Sequence, residues 1–264
     1  TAINAYIDNF ASLTYSEAFA MTLQACLLLF FYKLIEKLNS DEGALLKDTY
    51  KNWLLVGLFI VLLSLARNIG FVAMVGFMAY FIVRKQYRYV FYLLVAVLIF
   101  QLPEMLLEKA VWHVSNQWGG QSSQHMLKDP YDPSKGKETF TGYILRFFGN
   151  CNIYFSKRFF QIIGLRSPNA LTSSPGLTFL FMLTGVFACF RVFKAKDPYL
   201  IATVLYLGAM LCGTFFGLQI QWDQPRIVMV FVPMIMFILL FAFYDVLKKK
   251  SGFAQKLFLY AIIG

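Results

Sequence analysis

The chain has 264 residues, of which 59% are hydrophobic and only 14% charged, and its mean hydropathy is +0.60. Soluble domains carry about 25% charged residues, and a globule of this size in water could not cover so much apolar surface. The chain has four cysteines, too few for a disulfide-rich extracellular scaffold. The composition therefore predicts an all-α, polytopic membrane protein.

Seven apolar runs approach the length of about 20 residues that a helix needs to cross a hydrocarbon core of about 30 Å. In chain order they cover residues 18–35, 53–66, 69–83, 89–106, 176–193, 199–218 and 227–247. The second and third runs meet at Arg67-Asn68, either as two spans joined by a tight turn or as one helix broken at Gly70. We expect a bundle of seven spans, divided into residues 1–106, a long loop at 107–175, and residues 176–264. A further apolar stretch, 253–264, ends before it could span.

Basic residues accumulate in alternate loops, as the positive-inside rule describes for cytoplasmic loops. The basic loops contain Lys33, Lys37, Lys47, Lys51, Arg84, Lys85, Arg88, Arg191, Lys194, Lys196, Lys248, Lys249, Lys250 and Lys256. The other short loops contain only Arg67 and Arg226. We therefore expect residues 1–17 and the 107–175 loop on the non-cytoplasmic side. The net charge of +10 then needs no nucleic-acid partner, because basic loops and lipid headgroups account for it.

The long loop changes character along its length. Residues 115–137 are rich in polar and turn-forming residues, whereas apolar residues recur at steps of three and four through 138–164. This spacing predicts an amphipathic helix in the plane of the membrane interface, with basic side chains such as Arg146 and Lys157 reaching lipid headgroups.

Charged and polar residues at the outer ends of the spans are the candidate site residues. Arg67 is the charged residue of a very short outer turn, where it could also snorkel to the interface. Arg226 follows Pro225 and is expected to open a helix, where a guanidinium beside free N–H groups suits a phosphate. Glu104 and Glu108 form an i, i+4 pair that Lys109 could neutralise, and an interfacial helix end is the simpler interpretation.

Signatures of soluble enzymes are absent from the sequence. It contains no P-loop, no dinucleotide-binding glycine fingerprint and no zinc-ligand spacing. His113 and His125 are the two histidines, and without nearby cysteines they predict surface residues rather than metal ligands.

Four stretches resemble the GT-C glycosyltransferases, which include bacterial protein mannosyltransferases and the lipid A aminoarabinose transferase. They are residues 13–19 with Glu17, residues 64–70 with Arg67, the segment from Arg146 through Tyr154 to Arg158, and residues 221–226 followed by Pro233. The resemblance implies transfer of a sugar from a polyprenyl-phosphate donor to an acceptor on the outer face of a bacterial inner membrane. Arg226 and Arg67 are the predicted donor-phosphate contacts. The other candidate site residues are Glu17, Glu104, Glu108, Tyr154, Arg158, Gln221 and Asp223.

The GT-C resemblance leaves the catalytic acid unassigned. Family members use an acidic residue of the first outer loop as base or metal ligand, and we expect that loop to lie upstream of Thr1. Any divalent metal ion would be bound through that same upstream loop. Asp8 is on the expected side but lies close to the span that Glu17 opens. A membrane polysaccharide polymerase or ligase, a lipid-linked-sugar transporter or flippase, and a non-catalytic membrane subunit are the alternatives. A transporter would require polar residues at mid-span, which are scarce here.

Overall fold

The computed structural model describes residues 16–40, 46–111, 125–129, 131–167, 172–223 and 225–248. Within these ranges the chain is helical, and the β contact is an isolated antiparallel bridge between Leu127 and Lys137. The helices are α1 (Ser16–Ser40), α2 (Leu46–Ala66), α3 (Val72–Val83), α4 (Tyr87–Val111), α5 (Phe140–Ile153), α6 (Phe159–Ile162), α7 (Pro175–Ala195), α8 (Pro198–Gly217), α9 (Arg226–Met229) and α10 (Val232–Leu247).

Five helices of the described chain are long and apolar enough to cross a membrane. These spans are Glu17–Ser40, Thr49–Ala66, Tyr87–Leu106, Pro175–Ala195 and Pro198–Gly217. The all-α membrane bundle predicted from composition is thereby confirmed. Two further apolar helices, Ile69–Val83 and Val232–Leu247, have 10–17 residues, so the count of seven spans stays a prediction.

The segments on either side of Arg67 form a helical hairpin. Helix α2 ends at Ala66, Arg67 has an extended backbone with φ −150° and ψ 124°, and a 3₁₀ turn follows at Asn68–Phe71. The rings of Trp53, early in α2, and Phe81, late in α3, have centroids 5.5 Å apart, so the two helices run antiparallel. This geometry agrees with two helices meeting in a tight turn.

Gly70 allows that turn to pack tightly. A Cβ atom at Gly70 would lie 2.4 Å from the carbonyl carbon and oxygen of Leu63 in the last turns of α2. The Gly70 N–H also donates a hydrogen bond to the Arg67 carbonyl, at 2.7 Å. The turn that presents Arg67 therefore depends on a residue without a side chain.

The predicted seventh span is divided into two helices. Helix α9 ends at Met229, and α10 starts at Val232. Pro233 has no N–H for the Met229 carbonyl, which explains the interruption. The side-chain amide of Gln24 donates to the Val230 carbonyl at 2.9 Å, and the Tyr206 hydroxyl donates to Gln24 Oε1 at 3.1 Å. These bonds connect the interruption to α1 and α8.

The bundle has two ends of different chemistry. At one end, the Tyr32 hydroxyl lies 2.5 Å from Thr203 Oγ1, and Arg191 pairs with Asp245. We call this end the basic end, because it contains Lys33, Lys37, Lys51, Arg84, Lys85, Arg88, Arg191, Lys194, Lys196 and Lys248. The start of α1, the α2–α3 turn and the start of α9 lie at the other end, which we call the Arg67 end.

A helical segment runs through the long loop, but its polar face is turned inward. Helix α5, a π-helical turn at Tyr154–Arg158 and α6 occupy the region predicted as one helix over 138–164. Arg146 and Lys157 are only 3% and 7% exposed, whereas Phe140, Leu145 and Phe148 are exposed. The prediction that these basic side chains reach headgroups is wrong, because each pairs with a carboxylate inside the protein. Whether the segment lies in the membrane interface stays a prediction.

We predict that Gly70→Ala destabilises the protein by about 1–3 kcal/mol, because the methyl group would force two backbone segments apart. Thermal unfolding in detergent measures the change. Gly185→Ala is the matched control, since a Cβ atom there meets nothing within 4 Å. Equal stability of the two variants would contradict the role given to Gly70.

Candidate functional site

Glu17, Arg67 and Arg226 come together at the Arg67 end, although they lie far apart in the sequence. Arg226 Nε is 3.7 Å from Glu17 Oε1, and the Arg226 side chain is 38% exposed whereas that of Glu17 is 3% exposed. Burial lowers the pKa of Arg67, the nearby Glu17 carboxylate opposes that shift, and repulsion from Arg226 adds to it. We call these three residues the Glu17–Arg67–Arg226 cluster.

Local structure explains how each member of the cluster is presented. Glu17 lies in the first turn of α1, where a negative charge interacts favourably with the helix dipole. Arg67 is held by the hairpin turn, and Arg226 opens α9 directly after Pro225, as predicted. However, α9 has only four residues. Its peptide dipoles add little, so anion binding here would depend on the guanidinium groups.

Asp223 is clasped by two consecutive cations of the loop segment. Lys157 Nζ donates to Asp223 Oδ2 at 2.8 Å, and Arg158 Nε donates to Oδ1 at 2.5 Å. Arg158 Nη2 also donates to the Asp223 carbonyl at 3.1 Å. Burial by itself raises the pKa of Asp223, but the hydrogen bonds from Arg158 and Lys157 outweigh it and hold that pKa below its usual value. We call this arrangement the Asp223 clasp.

The π-helical turn connects the clasp to the cluster. Lys157 and Arg158 belong to the turn Tyr154–Arg158, and π-turns are frequent at functional sites. Tyr154, at the start of the turn, is fully buried, and its hydroxyl donates to the Trp222 carbonyl at 3.2 Å. Tyr154 also lies within electrostatic range of Arg67. The turn thus holds the segment that leads from α8 to Arg226.

Residues 125–129 and 131–138 also contact the segment that leads from α8 to Arg226. Arg146 pairs with Glu138 at 2.8 Å and donates to the carbonyls of His125 and Leu127. Gln219 Nε2 donates to the Leu127 carbonyl at 2.8 Å. His125 Nδ1 lies 2.8 Å from the Gly217 carbonyl, which can only accept, so Nδ1 carries the proton. His125 is therefore half-buried and bonded rather than the surface residue predicted.

Six of the predicted site residues lie at the Arg67 end. Glu17, Tyr154 and Arg226 each interact electrostatically with Arg67, and Arg158 and Asp223 pair with each other in the neighbouring clasp. Glu104 lies in the later part of α4, where its carboxylate accepts from Gln101 Nε2 at 2.5 Å. The side chains of Glu108, Lys109 and Gln221, and all of Asp8, lie outside the described residues.

The sequence analysis missed Lys157 as a residue of the site. Its helical spacing identified a polar face, but nothing local indicated that this face meets Asp223. Comparison with known protein-family models, curated proteins and solved structures finds no match to the chain. The resemblance to the GT-C glycosyltransferases therefore stays a prediction.

We predict that Asp223→Asn destabilises the protein at neutral pH by about 1–3 kcal/mol, because two largely buried cations lose their carboxylate. The folded-state pKa of Asp223 is depressed, so its contribution is complete above the unfolded pKa of about 3.9 and is lost as the pH falls through the lower folded value. Thermal unfolding between pH 7 and pH 3 measures this effect. The difference in unfolding free energy between wild type and variant should shrink only below about pH 4.

Asp132→Asn is the control for this series. Asp132 pairs with Lys135 at 3.7 Å on the surface, and exposed pairs contribute little. We expect no measurable change in its stability at neutral pH. If Asp132→Asn lost as much stability at neutral pH as Asp223→Asn, the special role of the clasp would be contradicted.

Proposed function

We propose that the protein acts as a membrane glycosyltransferase. It would transfer a sugar from a polyprenyl-phosphate-linked donor to an acceptor at the Arg67 end of the bundle. The observation that carries this proposal is the convergence of two guanidinium groups and a buried carboxylate at one end of an apolar helix bundle. The residues that resemble the GT-C glycosyltransferases are largely the ones that converge there.

A lipid-linked phosphate fits the chemistry of this position. A polyprenyl chain lies in the hydrocarbon and its phosphate lies at the membrane surface, which is where an apolar bundle ends. Guanidinium groups bind phosphate oxygens in a bidentate manner, and Arg226 is partly exposed to receive them. The exposed face of α5, with Phe140, Leu145 and Phe148, would contact the surrounding lipid.

The proposed reaction replaces one bond to the sugar with another. The bond between the anomeric carbon and the phosphate oxygen breaks, a bond from the acceptor oxygen or nitrogen forms, and the acceptor proton passes to a base. Arg67 and Arg226 would stabilise the negative charge of the departing polyprenyl phosphate. We assign no residue as the base.

We further propose seven spans, with the basic end in the cytoplasm and the Arg67 end outside, in a bacterial inner membrane. The concentration of basic residues at one end supports this orientation. The two shorter apolar helices, Ile69–Val83 and Val232–Leu247, would supply the sixth and seventh spans.

We predict that single cysteines at Ser134 and Lys196 are labelled from opposite sides of the membrane. Both positions are exposed, and they lie at the Arg67 end and the basic end respectively. The test uses a background lacking Cys26, Cys151, Cys189 and Cys212, the four native cysteines. A membrane-impermeant maleimide applied to intact cells should label Ser134→Cys, and should label Lys196→Cys only after permeabilisation. Labelling of both in intact cells would refute the topology.

We predict that Arg226→Ala lowers donor use roughly tenfold to a hundredfold, because a charge-assisted contact to phosphate contributes about 1.5–3 kcal/mol. Arg226→Lys should recover only part of the activity, since lysine lacks the planar fork. The assay follows sugar transfer in membranes from a panel of radiolabelled polyprenyl-phosphate hexoses.

Arg84→Ala is the control for Arg226, because Arg84 is an exposed arginine at the opposite end. Its activity should equal that of wild type. Wild-type transfer by Arg226→Ala would refute the phosphate assignment. Transfer of a preassembled glycan instead of a single sugar would identify a polymerase or ligase.

A further inference from the structure

One carboxylate oxygen of Glu17 is buried without a hydrogen bond. Glu17 is 3% exposed, and its Oε2 has no hydrogen-bond partner within the described part of the chain. The other oxygen, Oε1, lies 3.7 Å from Arg226 Nε, too far for a hydrogen bond. A buried acceptor that is left unpaired opposes folding, and a charged one does so most strongly. Such a group requires an explanation.

Neighbouring carboxylates at the same end do not share this feature. Glu138 Oε2 accepts from Arg146 at 2.8 Å, and its Oε1 accepts from the Thr139 N–H at 3.1 Å. Both oxygens of Asp223 accept from cations of the clasp. In each of these two carboxylates, which hold the loop segment in place, both oxygens are therefore bonded. Glu17 differs from them, and its unpaired Oε2 belongs to the cluster that we propose as the phosphate site.

We infer that Glu17 Oε2 accepts a hydrogen bond from a hydroxyl group of the ligand whose phosphate Arg67 and Arg226 bind. This inference rests on the proposed function and specifies its ligand class, a phosphodiester lipid with a hydroxyl-bearing group on the phosphate. Among the described residues the cluster has two arginines and one carboxylate, so one phosphodiester would complete its charge balance. A hydroxyl donor between the two anions bonds Oε2, whereas a phosphodiester without a hydroxyl group leaves that oxygen unpaired.

The geometry provides a route for this contact. The Arg226 side chain is 38% exposed, and its Nε lies 3.7 Å from Glu17 Oε1. A phosphate that contacts Arg226 therefore lies next to the Glu17 carboxylate, within reach of a group attached to that phosphate. A sugar ring on a polyprenyl phosphate and the glycerol headgroup of phosphatidylglycerol both carry the required hydroxyl group.

Binding of three lipids by the purified full chain tests the inference. The protein is placed in phosphatidylcholine nanodiscs, because that lipid has a phosphate without a hydroxyl group. The ligands are the methyl ester of undecaprenyl phosphate, glucosyl undecaprenyl phosphate and phosphatidylglycerol, which are all phosphodiesters with one negative charge. We expect the glucosyl lipid to bind about tenfold more tightly than the methyl ester, which has no hydroxyl group, the effect of about one charge-assisted hydrogen bond.

Two substitutions of Glu17 separate charge from hydrogen bonding. Glu17→Gln and Glu17→Met both remove the negative charge, so both should bind the methyl ester of undecaprenyl phosphate at least as tightly as wild type. Glutamine keeps an acceptor oxygen and should retain part of the preference for the glucosyl lipid. Methionine has no such acceptor and should lose the preference. Glu138→Gln is the structural control and should leave the preference unchanged even where it lowers stability.

The outcomes distinguish this inference from the proposed function. Failure of wild type to bind any of the phosphates, or binding that Arg226→Ala leaves intact, would overturn the phosphate site itself. Arginine-dependent binding without a preference for the hydroxyl-bearing lipids, or an unchanged preference in Glu17→Met, would overturn the role of Glu17 alone. A preference of equal size for phosphatidylglycerol would support the hydroxyl contact and identify a membrane headgroup as its source.

Discussion

Charges removed from water at the end of an apolar bundle must find partners inside the protein, and the Asp223 clasp is the pairing on which the Arg67 end depends. The Asp223 carboxylate binds two cations, Lys157 and Arg158. Arg158 also donates to the Asp223 carbonyl and so holds the backbone in place. Breaking one partner of such a pair leaves an uncompensated charge. The clasp therefore keeps the loop segment and the α8–α9 connection together.

This pairing determines where Arg226 lies. Asp223 is held by the π-helical turn, and the Trp222 carbonyl is held by Tyr154. Arg226 follows closely in the chain and opens a helix of a single turn. So short a helix cannot position its own first residue. The backbone position of Arg226 therefore depends on contacts made by the residues that precede it.

Composition and apolar periodicity were sufficient to predict the class of the fold, but not the faces of its loop helix. The repeat through 138–164 separates polar from apolar positions, yet it does not specify which face meets protein. Arg146 and Lys157 face inward because they pair with Glu138 and Asp223, and the spacing of the apolar residues specifies neither pairing. Pro233 does carry a local signal, since it explains the interruption between α9 and α10. The unpaired Oε2 of Glu17 could not be predicted from the sequence, because the hydrogen bonds of a side chain depend on the folded structure around it.

The charge balance at the Arg67 end has a consequence for ligand binding. Within the described residues of the cluster and the clasp, four cations, Arg67, Lys157, Arg158 and Arg226, interact with two carboxylates, Glu17 and Asp223. The positive-inside rule disfavours basic residues on the outer side of a membrane, where we propose that this end lies. Mutual repulsion also acts between Arg67 and Arg226, and burial of Arg67 makes the charge more costly. An anion bound between the two arginines would relieve both effects at once. Relief of this electrostatic cost would then contribute to the affinity for the phosphate ligand that we propose.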